Sequence, residues 1–271
     1  MNKKKKIKTI ILIITSSLLL SIFTISLVNI LNWNKNNIDN KKIVEEINQT
    51  TEVTEIKNNN NTEFVNKPLD DNDDYWYYAS FDFIDVNLNK LKQKNNDTIG
   101  WLQVNNTSIN YPFVQSSNND YYLYHSFDKT NNNAGWIFLD YRNNKELKDK
   151  NNIIYGHHRI NNTMFTTLLN FLNNDWSNSK DNNIIKISLE NENSIWQVIS
   201  SYKIKAESYY ITTNFSSDEE FINFLNTIKE RSIYDYGYTV NKDDTILTLS
   251  TCYDDYTRMV VHAKLIKINK K

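Results

Sequence analysis

The chain has 271 residues, with 31 Lys and Arg against 32 Asp and Glu, and 39% of it is apolar. That balance excludes a charge-driven disordered protein and a strongly basic nucleic-acid binder. Four Gly and two Pro exclude collagen-like and Pro-rich architectures, and a single Cys excludes an internal disulfide or a multi-cysteine metal site.

The charge is unevenly spread. Lys3, Lys4, Lys5, Lys6 and Lys8 precede a run, IKTIILIITSSLLLSIFTISLVNIL, whose one charge is Lys8, so the remaining 240 residues carry a formal charge of −6. As a helix, residues 10–30 span about 31 Å, enough to cross a hydrocarbon core of about 30 Å. The run is longer than a signal-peptide core and no small-residue cleavage site follows it, which favours an uncleaved signal-anchor. We expect residues 1–8 to be a cytoplasmic basic segment, 9–31 a transmembrane signal-anchor, 32–74 an extracellular linker and 75–271 the folded domain. The basic cluster orients the chain by the positive-inside rule. Residues 32–74, rich in Asn, Lys, Glu and Thr, read as a tether without a core, with at most a short helix near 41–47.

From Tyr75 onward aromatic residues become dense, and the length suits one domain. FIDVNLNKL, residues 83–91, has apolar positions at helical spacing. Eight short segments rich in β-branched and aromatic residues follow, each bounded by Asn, Asp or Ser: 99–104, 109–114, 135–139, 153–155, 184–189, 195–204, 245–249 and 259–268. Eight strands in one domain predict a closed or nearly closed barrel. Residues 163–172 and 217–229 read as helices, the second with a capping box formed by Ser217 and Glu220. The fold class is mostly β with accessory helices.

The strand TILTLSTC ends at Cys252 and RMVVHAKL begins at Arg258, so YDDYT forms a hairpin loop. If Cys252 and Arg258 close that loop, a thiol and a permanent cation stand side by side at a barrel rim. A lone Cys is ordinarily a small buried hydrophobe. Here alternation sets Cys252 with Ser250 and Thr248, opposite Leu247 and Leu249, and gives it a cationic neighbour. Arg258 could instead pair with Asp254 or Asp255. A catalytic thiol needs a proton partner. His157, just past a strand end in NIIYGH, ranks first; His158, adjacent but pointing elsewhere, is second, with His262 and His125 behind.

TLSTC followed by R-x-V-V, and IYGHH followed by TMF and a helix, resemble the sortases, membrane-anchored cysteine transpeptidases of Gram-positive bacteria. The resemblance runs upstream through IGWLQVNNTSINYPFVQSSNNDYYLYHSF and AGWIFLDYRNN. The DYYL and IFLDYRN segments, the N-terminal helical lead-in and the helix-forming insertion before the cysteine strand are similar to class B.

The resemblance implies a sortase-type eight-stranded β-barrel and a thiol-protease-like site: Cys252 as nucleophile, His157 as general acid and base, Arg258 stabilising the oxyanion. It also implies peptide contacts by Asn110, Val114, Tyr210, Ile211 and Ser250. The partners implied are surface proteins bearing a C-terminal sorting signal, a peptidoglycan amine as acceptor, and the membrane, without nucleic acid. Class A relatives use calcium; the matching loop here has no acidic cluster, so neither a metal nor a cofactor is expected. A Cys-His hydrolase and a non-catalytic wall-binding barrel are the competing readings; the first is disfavoured because His precedes a strand-borne Cys.

Overall fold

The computed structural model describes residues 3–68, 74–159, 161–252 and 256–271, with Lys3 and Cys252 described by their backbone alone. Asp254 and Asp255, and with them an ion pair from either to Arg258, lie outside the described residues, as do residues 70–73 of the acidic DDNDD run.

Eight strands close a ring: β4 (Thr98–Val104), β5 (Asn110–Val114), β6 (Phe138–Leu139), β7 (Asn151–Tyr155), β8 (Ile184–Leu189), β9 (Glu192–Lys205), β10 (Ile246–Cys252) and β11 (Thr257–Lys270). Around the ring the order is β10, β7, β6, β5, β4, β8, β9, β11 and back to β10. Each of the eight expected segments lies in this barrel, although 135–139 contributes only its last two residues. Most neighbours are antiparallel; β10 runs parallel to β7 and β5 to β6. Alternation sets Leu247 and Leu249 of β10 into a fully buried core with Trp101, Phe113, Ile154, Trp196 and Val261. The opposite face of β9, β10 and β11 is covered by α5 (Asp218–Arg231), through Phe221, Phe224, Leu225 and Ile228 against Ile199, Tyr202, Ile246 and Val260. Ser217 caps α5, its side chain accepting from the Glu220 amide, while the Glu220 carboxylate reaches one residue past the capping-box partner and accepts from the Ser216 amide at 2.6 Å.

Three expectations are corrected. Residues 83–91 are not one helix. Phe83–Val86 is a strand, β3, and a short helix, α3, follows at Asn89–Lys94. Consecutive Phe83 and Ile84 enter different apolar clusters, as neighbours on a pleated strand do. Residues 163–172 form a 3-10 helix at Thr166–Leu172 rather than an α-helix.

Nor are residues 32–74 a tether without a core. Helix α1 runs unbroken over Lys3–Thr50, and Ile43 and Ile47 enter the main core. The strand β1, Val53–Ile56, pairs with β3, and β2, Thr62–Phe64, pairs with β11 outside the ring. The isolated Ile and Val residues are too sparse to predict burial; they are buried because the barrel supplies the other half of each contact. Lys267 on β11 fastens this layer, its ammonium bonding Asn58 Oδ1 and the Phe81 carbonyl and lying 4.2 Å above the Phe83 ring.

Candidate active site

Register brings the three candidate residues together. Cys252 and Arg258 are direct partners across β10 and β11. The parallel ladder pairing Ile246 with Asn151 and Ser250 with Tyr155 sets His157 level with Cys252, two residues further on. The Gly156 amide continues that ladder, donating to the Ser250 carbonyl at 3.2 Å. His157, Cys252 and Arg258 therefore occupy adjacent positions at the ends of three neighbouring strands.

A groove of about 390 Å³ opens there, lined among others by Leu123, Tyr155, His157, Tyr210, Ser250 and Arg258. A larger depression of about 610 Å³, between Lys92, Glu190 and Lys270, contains none of these residues.

The His157 loop is braced on every side. Gly156 lies under the Phe165 ring, so closely that a Cβ there would stand 2.7 Å from it. The Phe165 amide donates to the His157 carbonyl at 3.0 Å. This explains why TMF follows IYGHH. The imidazole Nε2 lies 2.9 Å from the Leu123 carbonyl, a pure acceptor, so Nε2 carries the proton and Nδ1 is left for chemistry. Burial, together with the charge of nearby Arg159, holds the His157 pKa below the usual histidine value, against the opposing effect of the Leu123 carbonyl. Arg258 is partly buried and donates to the Thr257 carbonyl at 3.0 Å.

Tyr210, which lines the groove, sits in the 3-10 turn Tyr209–Ile211. Its carbonyls are clamped one after another. Asn151 Nδ2 donates to the Tyr210 carbonyl at 3.1 Å and to that of Thr212 at 2.8 Å. Arg142 Nη2 donates to the Ile211 carbonyl at 3.0 Å. Arg142 is itself held by a two-pronged bond to Asp140, at 2.8 and 2.7 Å. Burial alone would raise the Asp140 pKa; the Arg142 bonds, with those from Asn119 and Tyr155, keep it below the usual value. Two of the donors to Asp140, Tyr155 and Asn119, line the groove.

Of the expected peptide contacts, Tyr210 and Ser250 line the groove, while Ile211 follows Tyr210 in the same turn without lining it. Asn110 and Val114 are not brought there. Val114 is fully buried in the core, and Asn110 Oδ1 accepts from Trp101 Nε1 at 2.7 Å. Asn119, Asp120, Leu123, Tyr124, Phe138 and Thr251 are lining residues that sequence reasoning did not assign. The DYYL segment contributes two of them, Asp120 and Leu123, and was the available signal. His158 bridges to Met164 and His125 stacks on Tyr121, with centroids 4.0 Å apart. His262 is fully buried between Tyr202 OH and Thr248 Oγ1, both at 2.8 Å.

An eight-stranded barrel with His, Cys and Arg at adjacent strand ends defines a cysteine-transferase type of site. Residues 102–266 match the sortase domain family. Over 183 residues the chain is 38% identical to sortase B of Listeria monocytogenes, covering 66% of this chain and 74% of that protein. Among solved structures, a Bacillus anthracis protein described as similar to sortase B is 40% identical with a TM-score of 0.62, covering 66% of this chain and 82% of that one. A Staphylococcus aureus sortase B–substrate complex is 35% identical, TM-score 0.62, covering 66% and 84%. The chain belongs to the sortase family of cysteine transpeptidases, and within it to class B.

Proposed function

We propose that Cys252 is the nucleophile, His157 the general acid and base, and Arg258 the oxyanion stabiliser of a transpeptidase acting on C-terminal sorting signals. The observation that supports this assignment most is their adjacency at the ends of β7, β10 and β11 around one groove.

His157 Nδ1 takes the proton of the Cys252 thiol as the sulfur attacks the carbonyl carbon of a Thr in the sorting signal. As the tetrahedral intermediate collapses, the Thr C–N bond breaks, a thioester to Cys252 remains, and His157 gives its proton to the departing amine. An acceptor amine then attacks the thioester, His157 takes its proton, and the C–S bond breaks. Nδ1 is the nitrogen that moves the proton in both halves, because Nε2 is occupied by Leu123. A depressed pKa leaves His157 largely neutral near pH 7, as the second half requires. The planar guanidinium of Arg258 stabilises the oxyanion in each tetrahedral intermediate. Tyr210 and Ser250 line the space the peptide occupies.

The substrates are surface proteins carrying a sorting signal and the acceptor is an amine of the cell wall; among the relatives, one solved sortase B is complexed with triglycine and another with substrate. Residues 9–31 cross the membrane, residues 1–8 stay cytoplasmic, and the catalytic domain lies outside. The apolar part of α1 is long enough and exposed throughout. Incubating the protein with a fluorogenic library of sorting-type peptides, with and without an amine, tests the activity. Product joined to the amine is expected; hydrolysis alone would favour a Cys-His hydrolase, and no turnover a binding barrel.

A further inference from the structure

Residues 32–50 continue α1 without a break, and one stripe of this stretch is docked on the domain. Asn132 Nδ2 donates to the Asn36 carbonyl at 3.0 Å. Arg159, two residues after His157, bonds both Asn37 Oδ1 and, at 3.2 Å, the Asn133 carbonyl. Asn40 Oδ1 accepts from Ser126 Oγ at 2.7 Å. Ile43 and Ile47 enter the core, and Glu46 pairs with Lys94 at 2.6 Å. Positions 36, 40, 43 and 47 recur at helical spacing on one face of α1, and Asn37 and Glu46 flank that face on its two sides.

The order of these contacts fixes a direction. Leu31 ends the apolar run, and five residues of helix, about 7 Å, separate it from Asn36. The headgroup layer adds roughly 5–7 Å on each side of the hydrocarbon core. The contacts of Asn36 and Asn37 with Asn132, Asn133 and Arg159 therefore fall at headgroup depth. Trp33, an aromatic suited to the membrane interface, lies between them and the apolar run. The Lys94 contact is about 15 Å further along the axis, and Lys92, close by, pairs with Glu190. Exposed Asn131, Asn133, Asn161 and Asn162 are neutral amides beside this near end, able to hydrogen-bond headgroups without adding charge.

We propose that α1 is a stiff strut that seats the His157 end of the groove against the lipid headgroup surface, rather than a flexible leash for a free catalytic domain. The proposal rests on the reading of residues 9–31 as membrane-spanning.

The test uses the full chain, Cys252→Ser, in lipid vesicles carrying acceptor dye on the headgroups. A donor dye is attached through Asn133→Cys in one sample and Glu190→Cys in another. Energy transfer is expected to be several-fold stronger from position 133, and ten Gly/Ser residues inserted between Lys35 and Asn36 should remove the difference. Equal transfer from both positions in an inserted, uninterrupted chain would overturn the strut alone. Release of the chain by alkaline carbonate would overturn the anchor and the strut together.

Discussion

Asn151, the first residue of β7, donates its amide to the carbonyls of Tyr210 and Thr212, four residues before the same strand ends at Tyr155 and leads to His157. The strand that positions His157 thus also holds the turn that carries Tyr210, and both residues line the groove. With Arg142 on the Ile211 carbonyl, three successive backbone acceptors are tied to the barrel.

Loosening that clamp should weaken peptide binding more than chemistry. Arg142→Gln removes a charge-assisted fork worth about 1.5–3 kcal/mol and frees the Ile211 carbonyl. The expected result is KM for the sorting peptide raised about tenfold with a smaller change in kcat. Arg142→Lys should rescue poorly, since an ammonium lacks the fork that spans Asp140 and Ile211. A variant with unchanged KM would remove the clamp from substrate recognition.

Cys252 and its cross-strand partner Arg258 predict a contrast. Cys252→Ala should abolish turnover while leaving the thermal unfolding temperature nearly unchanged. Arg258→Lys keeps the charge but loses planarity, and should reduce kcat by on the order of 10²-fold. Near-parental activity in the Lys variant would reduce Arg258 to a point charge or a structural residue.

Two glycines at positive φ form a matched pair. Gly135, at φ +60°, would place a Cβ 2.6 Å from the Tyr122 carbonyl oxygen and 2.7 Å from His157 Cδ2. Gly237, at φ +66°, has nothing within 4 Å. Both Ala variants should lose about 1 kcal/mol to backbone strain. Gly135→Ala should in addition displace the imidazole and lower kcat/KM tenfold or more. Equal activity in the two variants would show that His157 tolerates the shift.

Arg159 contributes to the depression of the His157 pKa, after burial. In Arg159→Gln the imidazole keeps its proton to higher pH, so the limb of the pH–rate profile set by His157 should move upward. A limb that stays in place would leave burial as the whole cause.

His262 offers a stability measurement. Burial pushes its pKa down to about 3. Between the unfolded value of about 6.5 and that folded value, the unfolded chain binds a proton that the folded chain refuses, so stability falls as pH falls. His262→Gln should reduce this loss by up to about 1.4 kcal/mol per pH unit between pH 6 and 4, measured by denaturant unfolding.

Much of the site was legible in the sequence because strands are local. The run from Thr245 to Cys252 alternates in a way that fixes which residues share a face, and a five-residue gap before Arg258 sets the hairpin register. The neighbourhood of His157 with Cys252 was not written locally. It follows from the parallel pairing of β7 with β10, between segments nearly a hundred residues apart, and from a chain that closes into a ring. The clamp on the Tyr209–Ile211 turn needs Arg142, Asn151 and the turn itself, which meet only after closure.

The long apolar run near the N-terminus, the eight strands, the capped helix α5 and the candidate chemistry were readable from local pattern, because each depends on periodicity or on neighbours a few residues away. Long-range packing alone brings residues 32–64 onto the domain, makes residues 83–86 a strand, and leaves Val114 and Asn110 out of the groove's lining. Sparse Ile and Asn residues carry no pattern strong enough to predict burial; they are held because a folded barrel already offers apolar pockets and unpaired polar groups for them to meet.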